Sequence, residues 1–331
     1  MKAFRLILLI GFSGALVSLG CESSRPRIVA SPRAHDSSFQ SSSLQRMMNY
    51  RVLLPANYDQ NTLRYPVLYL LHGGGGDSSD WTTETHIAED TDRLSLIIVM
   101  PDGGPWSWYA NSPMQPQNRF EDYIVYDLIP EIDRKYRTIN AREGRAIGGA
   151  SMGGYGAVKF GLKYPNLFVF TASFDGSLDA ADPEFAVGSD LTHDLLEAFG
   201  PAGSESRSSN DLFILVEKQP AQELPYFFMA CGTQDPLLES TQKFIKLLQR
   251  RKIAHNYMES SGGHNWNTSD HQLPMMLGEL AHHVELTPKP DVIPVPGLRK
   301  QQPPSSTRKS ATSKLRLSIE DDGSPSIEAV C

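Results

Sequence analysis

Short apolar stretches alternate with amphipathic ones along the middle of the chain. Runs such as 65–71 are apolar at nearly every position and end at glycine or histidine, which predicts strands buried on both faces. We expect strands at 49–54, 65–71, 95–100, 145–150, 168–173, 225–231 and 254–259, and helices at 121–136, 153–163, 236–251 and 270–284. Strands separated by helices indicate a doubly wound, mostly parallel α/β sheet. Residues 178–224 interrupt the alternation and predict a small insertion over the functional site.

The first twenty residues have the pattern of a secretory signal. Lys2 and Arg5 precede an apolar run at 6–19 that is short for a membrane span. Cys21 follows directly, so two expectations stand: ordinary cleavage and secretion, or a periplasmic or cell-surface lipoprotein with a lipid anchor on Cys21. Ser18 stands where lipoprotein signals usually carry leucine, so ordinary secretion remains open. We favour the lipoprotein.

Composition separates the two ends from the centre. Residues 21–45 are rich in serine, arginine and proline and predict a flexible tether, and proline-rich residues 287–331 predict a disordered tail. One domain remains at 46–286. The whole chain has a net charge of −7, the first 45 residues carry +3 and the last 45 carry +2. The domain at 46–286 therefore has a net charge of −12. Such a domain is expected to bind no nucleic acid, and to meet a membrane only through an anchor at Cys21.

The segment Gly149-Ala150-Ser151-Met152-Gly153 is the strongest candidate for chemistry. Glycines on both sides of a serine, between a strand and a helix, are typical of a nucleophile elbow, in which the serine hydroxyl stands clear of the sheet. The pattern alone is weak, because glycine and serine are common. Its position between predicted strand 145–150 and predicted helix 153–163 makes it specific.

A glycine-rich loop, His72-Gly73-Gly74-Gly75-Gly76, ends the predicted strand 65–71. Such loops supply an oxyanion hole upstream of a nucleophile elbow, because glycine lets the backbone approach a substrate carbonyl. We expect the N–H groups of Gly74 and Met152 to form the hole. The alternative is a phosphate-binding loop, but the Gly-Lys-Ser/Thr sequence that such a loop needs is missing here.

A serine nucleophile needs a base, and the base needs an acid to orient it. His264 follows predicted strand 254–259 in a glycine-rich loop and is the best candidate base. Asp235 and Asp175 each follow a strand, and either could be the acid. The three cysteines, Cys21, Cys231 and Cys331, have no spacing typical of disulfides or zinc, so no metal or other cofactor is expected.

Four aromatic residues lie close to these motifs in the sequence. Trp106, Trp108, Tyr109 and Trp266 could contact an aryl or acyl group of a substrate. Packing in the core is the competing interpretation for each of them.

Together these motifs resemble the esterase D-type family of α/β-hydrolases, which includes feruloyl esterases, S-formylglutathione hydrolases, enterochelin-type esterases and mycolyltransferases. The resemblance spans about 195 residues, and the matching pieces are Leu70-Leu71-His72-Gly73-Gly74, Met100-Pro101-Asp102-Gly103-Gly104, Ser107-Trp108-Tyr109-x-Asn111-Ser112, Glu121-Asp122-Tyr123, Leu128-Ile129-Pro130, Gly149-Ala150-Ser151-Met152-Gly153-Gly154, Gly232-Thr233-x-Asp235 and Gly262-Gly263-His264.

The resemblance implies the α/β-hydrolase fold and a triad of Ser151, His264 and Asp235. It also implies a serine esterase that forms an acyl-enzyme and acts on a small-molecule or carbohydrate-linked ester, of the feruloyl or acetyl-sugar type. Two alternatives remain: an acyltransferase of the mycolyltransferase type, which would use the same triad, and a non-catalytic surface binding module. The tail at 287–331 lies outside the resemblance.

Overall fold

The computed structural model describes residues 28–290 and, further along the chain, strands β9 Arg316–Ile319 and β10 Pro325–Glu328. Residues 28–290 form one sheet of eight strands in the order β1-β2-β4-β3-β5-β6-β7-β8. Their bounds are β1 Ala34–Ser41, β2 Arg46–Leu53, β3 Val67–Leu71, β4 Ile97–Pro101, β5 Arg145–Ala150, β6 Phe170–Phe174, β7 Tyr226–Gly232 and β8 His255–Ser260. β1 with β2 and β2 with β4 pair antiparallel, and the other pairs are parallel.

Helices cover both faces of this sheet. α1 Asp80–Glu84, α2 Ile87–Asp90 and α10 Trp266–His283 pack on one face. The other face is covered by α3 Phe120–Asp122, a π-helical segment Tyr123–Leu128, α4 Ile129–Lys135, α5 Met152–Lys163 and α9 Leu238–Arg250. Among the described residues no helix is both long and apolar enough to cross a membrane.

Strand β3 shows why the apolar runs of the sequence form strands. Tyr69 and Leu71 face the layer that contains α5, whereas Leu68 and Leu70 face the layer that contains α10. Since side chains alternate between the faces and both faces are buried, every position must be apolar. The predicted α/β-hydrolase fold, with its doubly wound, mostly parallel sheet, is confirmed.

The expected insertion at 178–224 includes three α-helices. It contains α6 Thr192–Phe199, α7 Glu205–Ser208 and α8 Leu212–Lys218. Phe199 and Leu212 are fully buried in the same apolar layer as α5. The insertion is therefore an integral part of the domain.

The predicted tether is wrong for residues 34–45, because β1 pairs with β2 along its whole length. This strand is mostly polar, which is why its sequence resembles a linker. Phe39 anchors the strand to the domain by packing on the rings of Tyr50 and Tyr123. Residues 1–27, with the predicted signal and Cys21, lie outside the described residues.

The predicted disordered tail is also wrong in part. Lys289 exchanges two backbone hydrogen bonds with Arg64, at 2.7 and 2.9 Å. Further along, β9 and β10 pair with each other in antiparallel register and belong to a second unit, 292–331. The remainder of the predicted tail lies outside the described residues.

Candidate active site

Ser151 lies in the sharp turn between β5 and α5. Its φ of 55° and ψ of −116° are strained for a residue with a side chain. The Ser151 N–H donates to Phe174 O on β6 at 2.9 Å, which fixes the turn against the sheet. A Cβ at Gly153 would clash with Leu71 O, and one at Gly149 would clash with Gly153 O. The glycines of the motif are thus required by the close approach of α5 to β3 and β5.

Two hydrogen bonds join Ser151, His264 and Asp235. His264 Nε2 lies 2.8 Å from Ser151 Oγ, and His264 Nδ1 lies 2.8 Å from Asp235 Oδ2. A carboxylate accepts only, so the proton of the neutral imidazole lies on Nδ1, and Nε2 is free to accept the serine proton. Asp235 is completely buried and its other oxygen accepts the N–H of Leu237 at 2.7 Å.

The loops that carry Asp235 and His264 are tied together through their backbones. The N–H of Thr233 donates to Ser260 O and that of Gln234 donates to Gly262 O, both at 2.8 Å. Asp235 and His264 are therefore positioned by main-chain contacts at the carboxyl ends of β7 and β8.

Asp235 makes His264 a stronger base. Burial alone would lower the pKa of the imidazole, but the hydrogen bond and charge of Asp235, with the charge of Asp175, raise it above the ordinary value. A raised pKa means that the imidazolium formed by proton transfer is stabilised. The imidazole is protonated, and unable to accept the serine proton, as the pH falls through that value.

Asp175, the other candidate acid, lies beside Asp235 and is 2% exposed. Its Oδ1 accepts the N–H of Gly232 at 2.7 Å. No hydrogen bond joins Asp175 to His264 within the described residues. Asp235, and not Asp175, is therefore the carboxyl group that contacts the imidazole.

The glycine-rich loop lies against the nucleophile turn. A Cβ at Gly73 would be 3.5 Å from Ser151 Cβ. The N–H groups of Gly75 and Gly76 donate to Pro105 O and Gly73 O, whereas that of Gly74 has no acceptor in the described part of the chain. Met152 is the first residue of α5, so its N–H precedes the hydrogen bonds of the helix.

His72 holds this loop in shape. Its Nε2 accepts the N–H of Gly103 at 2.8 Å, so Nδ1 carries the proton and donates to Gly73 O at 2.7 Å. Burial lowers the pKa of this imidazole, in keeping with a neutral ring. Tyr109 completes the arrangement, because its hydroxyl donates to His72 O at 3.0 Å.

The four aromatic residues have different surroundings. Trp106 is half-buried and its indole covers Gly74, where a Cβ would clash with the ring. Trp266 is half-buried and packs edge to face on Trp81, with 5.1 Å between ring centroids. Trp108 and Tyr109 are buried, so their prediction as substrate contacts is wrong. Both have positive φ, near 50°, and this turn points Trp108 into the core against Tyr155, Phe185 and Phe199.

Lys159 supports this turn and was missed in the sequence. It is completely buried on α5, and its Nζ donates to Tyr109 O at 2.5 Å and lies 3.1 Å from Glu121 Oε2. Glu121 also contacts Lys163 at 2.6 Å. The signal available was a lysine within the apolar face of helix 153–163, which indicates a buried partner of opposite charge.

A family model described as "Putative esterase" matches residues 41–280, which is most of the chain and includes Ser151, Asp235 and His264. The chain belongs to this family. Fold and family together define the class of protein: a member of the putative esterase family with the α/β-hydrolase fold.

Individual relatives agree with this class. An esterase of Mycobacterium tuberculosis is 33% identical over 257 residues, which cover 70% of this chain and 56% of that protein. The chain thus spans little more than half the length of that relative. An acetyl esterase of Caldicellulosiruptor saccharolyticus is 30% identical over 216 residues, covering 63% of this chain and 80% of that protein. A solved ferulic acid esterase superposes with a TM-score of 0.66 at 27% identity, over 75% of this chain and 97% of that one.

Proposed function

We propose that the protein is a serine esterase that hydrolyses carboxylic esters through an acyl-enzyme. The observation that carries the proposal is the pair of 2.8 Å hydrogen bonds from His264 to Ser151 and to Asp235. Ser151 Oγ attacks the ester carbonyl carbon while His264 Nε2 takes its proton. The imidazolium then protonates the leaving alcohol, and a water molecule, activated by the same base, releases the acid.

The negative charge that develops on the carbonyl oxygen needs donors. The N–H groups of Gly74 and Met152 supply them in this proposal, and the N-terminus of α5 adds its positive dipole end. In hydrolases of this kind, loss of one such donor costs on the order of 10²–10³ in kcat.

For the substrate we propose an aryl or acyl ester linked to a small alcohol or sugar, of the feruloyl or acetyl-sugar type. Trp106, whose indole covers Gly74, is the aromatic surface that supports this class. The His264 side chain is 27% exposed, so water can reach the acyl-enzyme, as hydrolysis requires. The proposed substrate and the triad roles need no metal or organic cofactor.

The first test is Ser151→Ala, assayed with p-nitrophenyl acetate and by labelling with a fluorophosphonate. Wild type should turn over the ester and be labelled, and the variant should do neither while its circular dichroism is unchanged. Retained turnover in the purified variant would remove Ser151 as the nucleophile.

A panel of feruloyl, acetyl-sugar and thioester substrates then separates the substrate classes. Each reaction is repeated with an added alcohol or sugar acceptor. Free acid as the main product supports the esterase, whereas an ester of the added acceptor as the main product identifies an acyltransferase.

A further inference from the structure

Asp175 is held rigidly at the end of β6. Its N–H donates to Ala230 O at 2.9 Å, and its Oδ1 accepts the N–H of Gly232 at 2.7 Å. Its φ is +47°, a conformation that aspartate tolerates better than most residues. Its Oδ2 is buried and has no hydrogen-bond partner within the described residues. A carboxylate oxygen in this state is costly if it is charged.

The carboxyl group of Asp235 lies beside it. One oxygen of Asp175, one of Asp235 and Sγ of Cys231 lie within 4.8 Å of one another, and all three residues are buried. The adjacent parallel strands β6 and β7 bring them together, since Phe174 pairs with Ala230. Two buried carboxylates at this separation cannot both be ionised without strong repulsion.

The remaining donors decide which carboxyl group carries the charge. Asp235 accepts from His264 and from Leu237, so both of its oxygens are stabilised as acceptors. Asp175 has one donor. The Cys231 thiol is neutral, because burial and the two carboxyl groups raise its pKa. Burial and the charge of Asp235 raise the pKa of Asp175 to about 7.

We propose that the buried pair of Asp175 and Asp235 holds one proton, carried by Asp175, and that this proton keeps the base His264 available in its neutral form. The proposal rests on the proposed function, which makes His264 the base. Asp175 is a positioning residue, because it acts on Ser151 only through Asp235 and His264. When Asp175 loses its proton, a second negative charge faces His264 and holds a proton on the imidazole.

The acid limb of kcat/KM tests this effect, since it reports the pKa of the base in the free enzyme. Asp175→Asn is uncharged at every pH and keeps an oxygen for the Gly232 N–H. Because this variant is neutral like the protonated aspartic acid, it should leave the enzyme active and leave the acid limb below pH 7 in place. Asp175→Ser, which is also neutral, should do the same.

Asp179→Asn is the matched control. Asp179 is a half-buried carboxyl group whose pKa is also raised by burial, but the charges that raise the pKa of His264 are those of Asp235 and Asp175. This variant should leave the acid limb in place. An acid limb that moves to lower pH by about half a unit or more in both Asp175 variants, but not in Asp179→Asn, would show that Asp175 is charged in wild type and overturns the proposal.

Thermal unfolding gives a test that needs no enzymatic activity. The folded-state pKa of Asp175 is about 7, above the ordinary value of 3.8, so its contribution to stability is full below pH 3.8 and is lost as the pH rises through about 7. The Tm of wild type should therefore fall relative to that of Asp175→Asn between pH 5 and pH 8. Parallel curves of Tm against pH for wild type and Asp175→Asn overturn the proposal, whether or not an ester is hydrolysed. If the two curves diverge but the protein has no esterase activity, only the proposed function is overturned.

Discussion

At the scale of single residues, the position of Asp235 allows it only to accept a hydrogen bond from the proposed base, His264. Both oxygens are occupied, and the one that faces His264 receives the Nδ1 proton. An amide in its place could donate to Nδ1 and stabilise the other imidazole tautomer, with the proton facing Ser151. The consequence would be a base that cannot accept the proton of its nucleophile.

We therefore predict that Asp235→Asn lowers kcat severely, by about 10⁴ in comparable triads, with little change in fold. Steady-state kinetics with p-nitrophenyl acetate measure it. Asp175→Asn is the matched control in the same buried pair and should be far milder. The reverse ranking would assign the acid to Asp175.

These two aspartates show what the strand pattern alone could not decide. Both follow strands, β6 and β7, which are neighbours in the sheet, so the sequence pattern fits either of them. A difference of a few ångströms in position decides which one reaches His264, and spacing along the chain does not contain that distance. Ser151 and His264 were predictable because each lies in a turn after a strand where the close approach of neighbouring atoms admits only glycine two residues before it.

At the scale of elements, α5 does more than present Ser151. Its Lys159 joins the carbonyl of Tyr109 to the carboxylate of Glu121, and the hydroxyl of Tyr109 joins His72. The contacts run from the buried ion pair to the loop that carries Gly74. The shape of the glycine-rich loop, the proposed oxyanion loop, thus depends on a charge two turns along α5.

We predict that Lys159→Met destabilises the protein by about 3–5 kcal/mol, because it leaves a buried acceptor and a partly paired buried carboxylate. It should also lower kcat by distorting the oxyanion loop. Urea unfolding and ester hydrolysis measure the two effects. Lys163→Met removes a half-buried partner of the same Glu121, and it should cost much less in both. Equal effects of the two variants would contradict this account of the loop.

The elements themselves were predictable to different degrees. β3 is apolar at every position because both of its faces are buried. β1 lies at the edge of the sheet and buries few side chains, so its polar sequence gave no strand pattern. Trp108 and Tyr109 could not be placed from the sequence either. They are close to the site motifs in sequence, but the left-handed turn there directs them into the core.

At the scale of the whole molecule, the role of the N-terminal segment can be measured by truncation. We predict that a protein beginning at residue 42, without β1, loses the ring contacts of Phe39 and has a clearly lower Tm. A protein beginning at residue 28 keeps β1 and should unfold at the same temperature as one beginning at Cys21. An unchanged Tm in the shorter protein would mean that β1 contributes nothing to the domain.

We also propose that Cys21 carries a lipid anchor. Cys21→Ser should then move the protein from the membrane fraction to the soluble one, because acyl chains contribute about 0.8 kcal/mol per buried CH₂. Mass spectrometry of the wild type should show the added acyl mass. A soluble distribution in both proteins would exclude the lipoprotein and leave ordinary secretion.

The indole of Trp106 on Gly74 has an optical consequence. The chain has four tryptophans, and two of them, Trp81 and Trp108, are buried in the core, so we expect their emission to change less than that of Trp106 when a substrate binds. In the proposed mechanism a carbonyl oxygen arrives at the Gly74 N–H, beside the indole of Trp106, each time an acyl-enzyme forms. The intrinsic fluorescence of the protein would then follow acylation and deacylation in a stopped-flow instrument, with natural esters that release no coloured product.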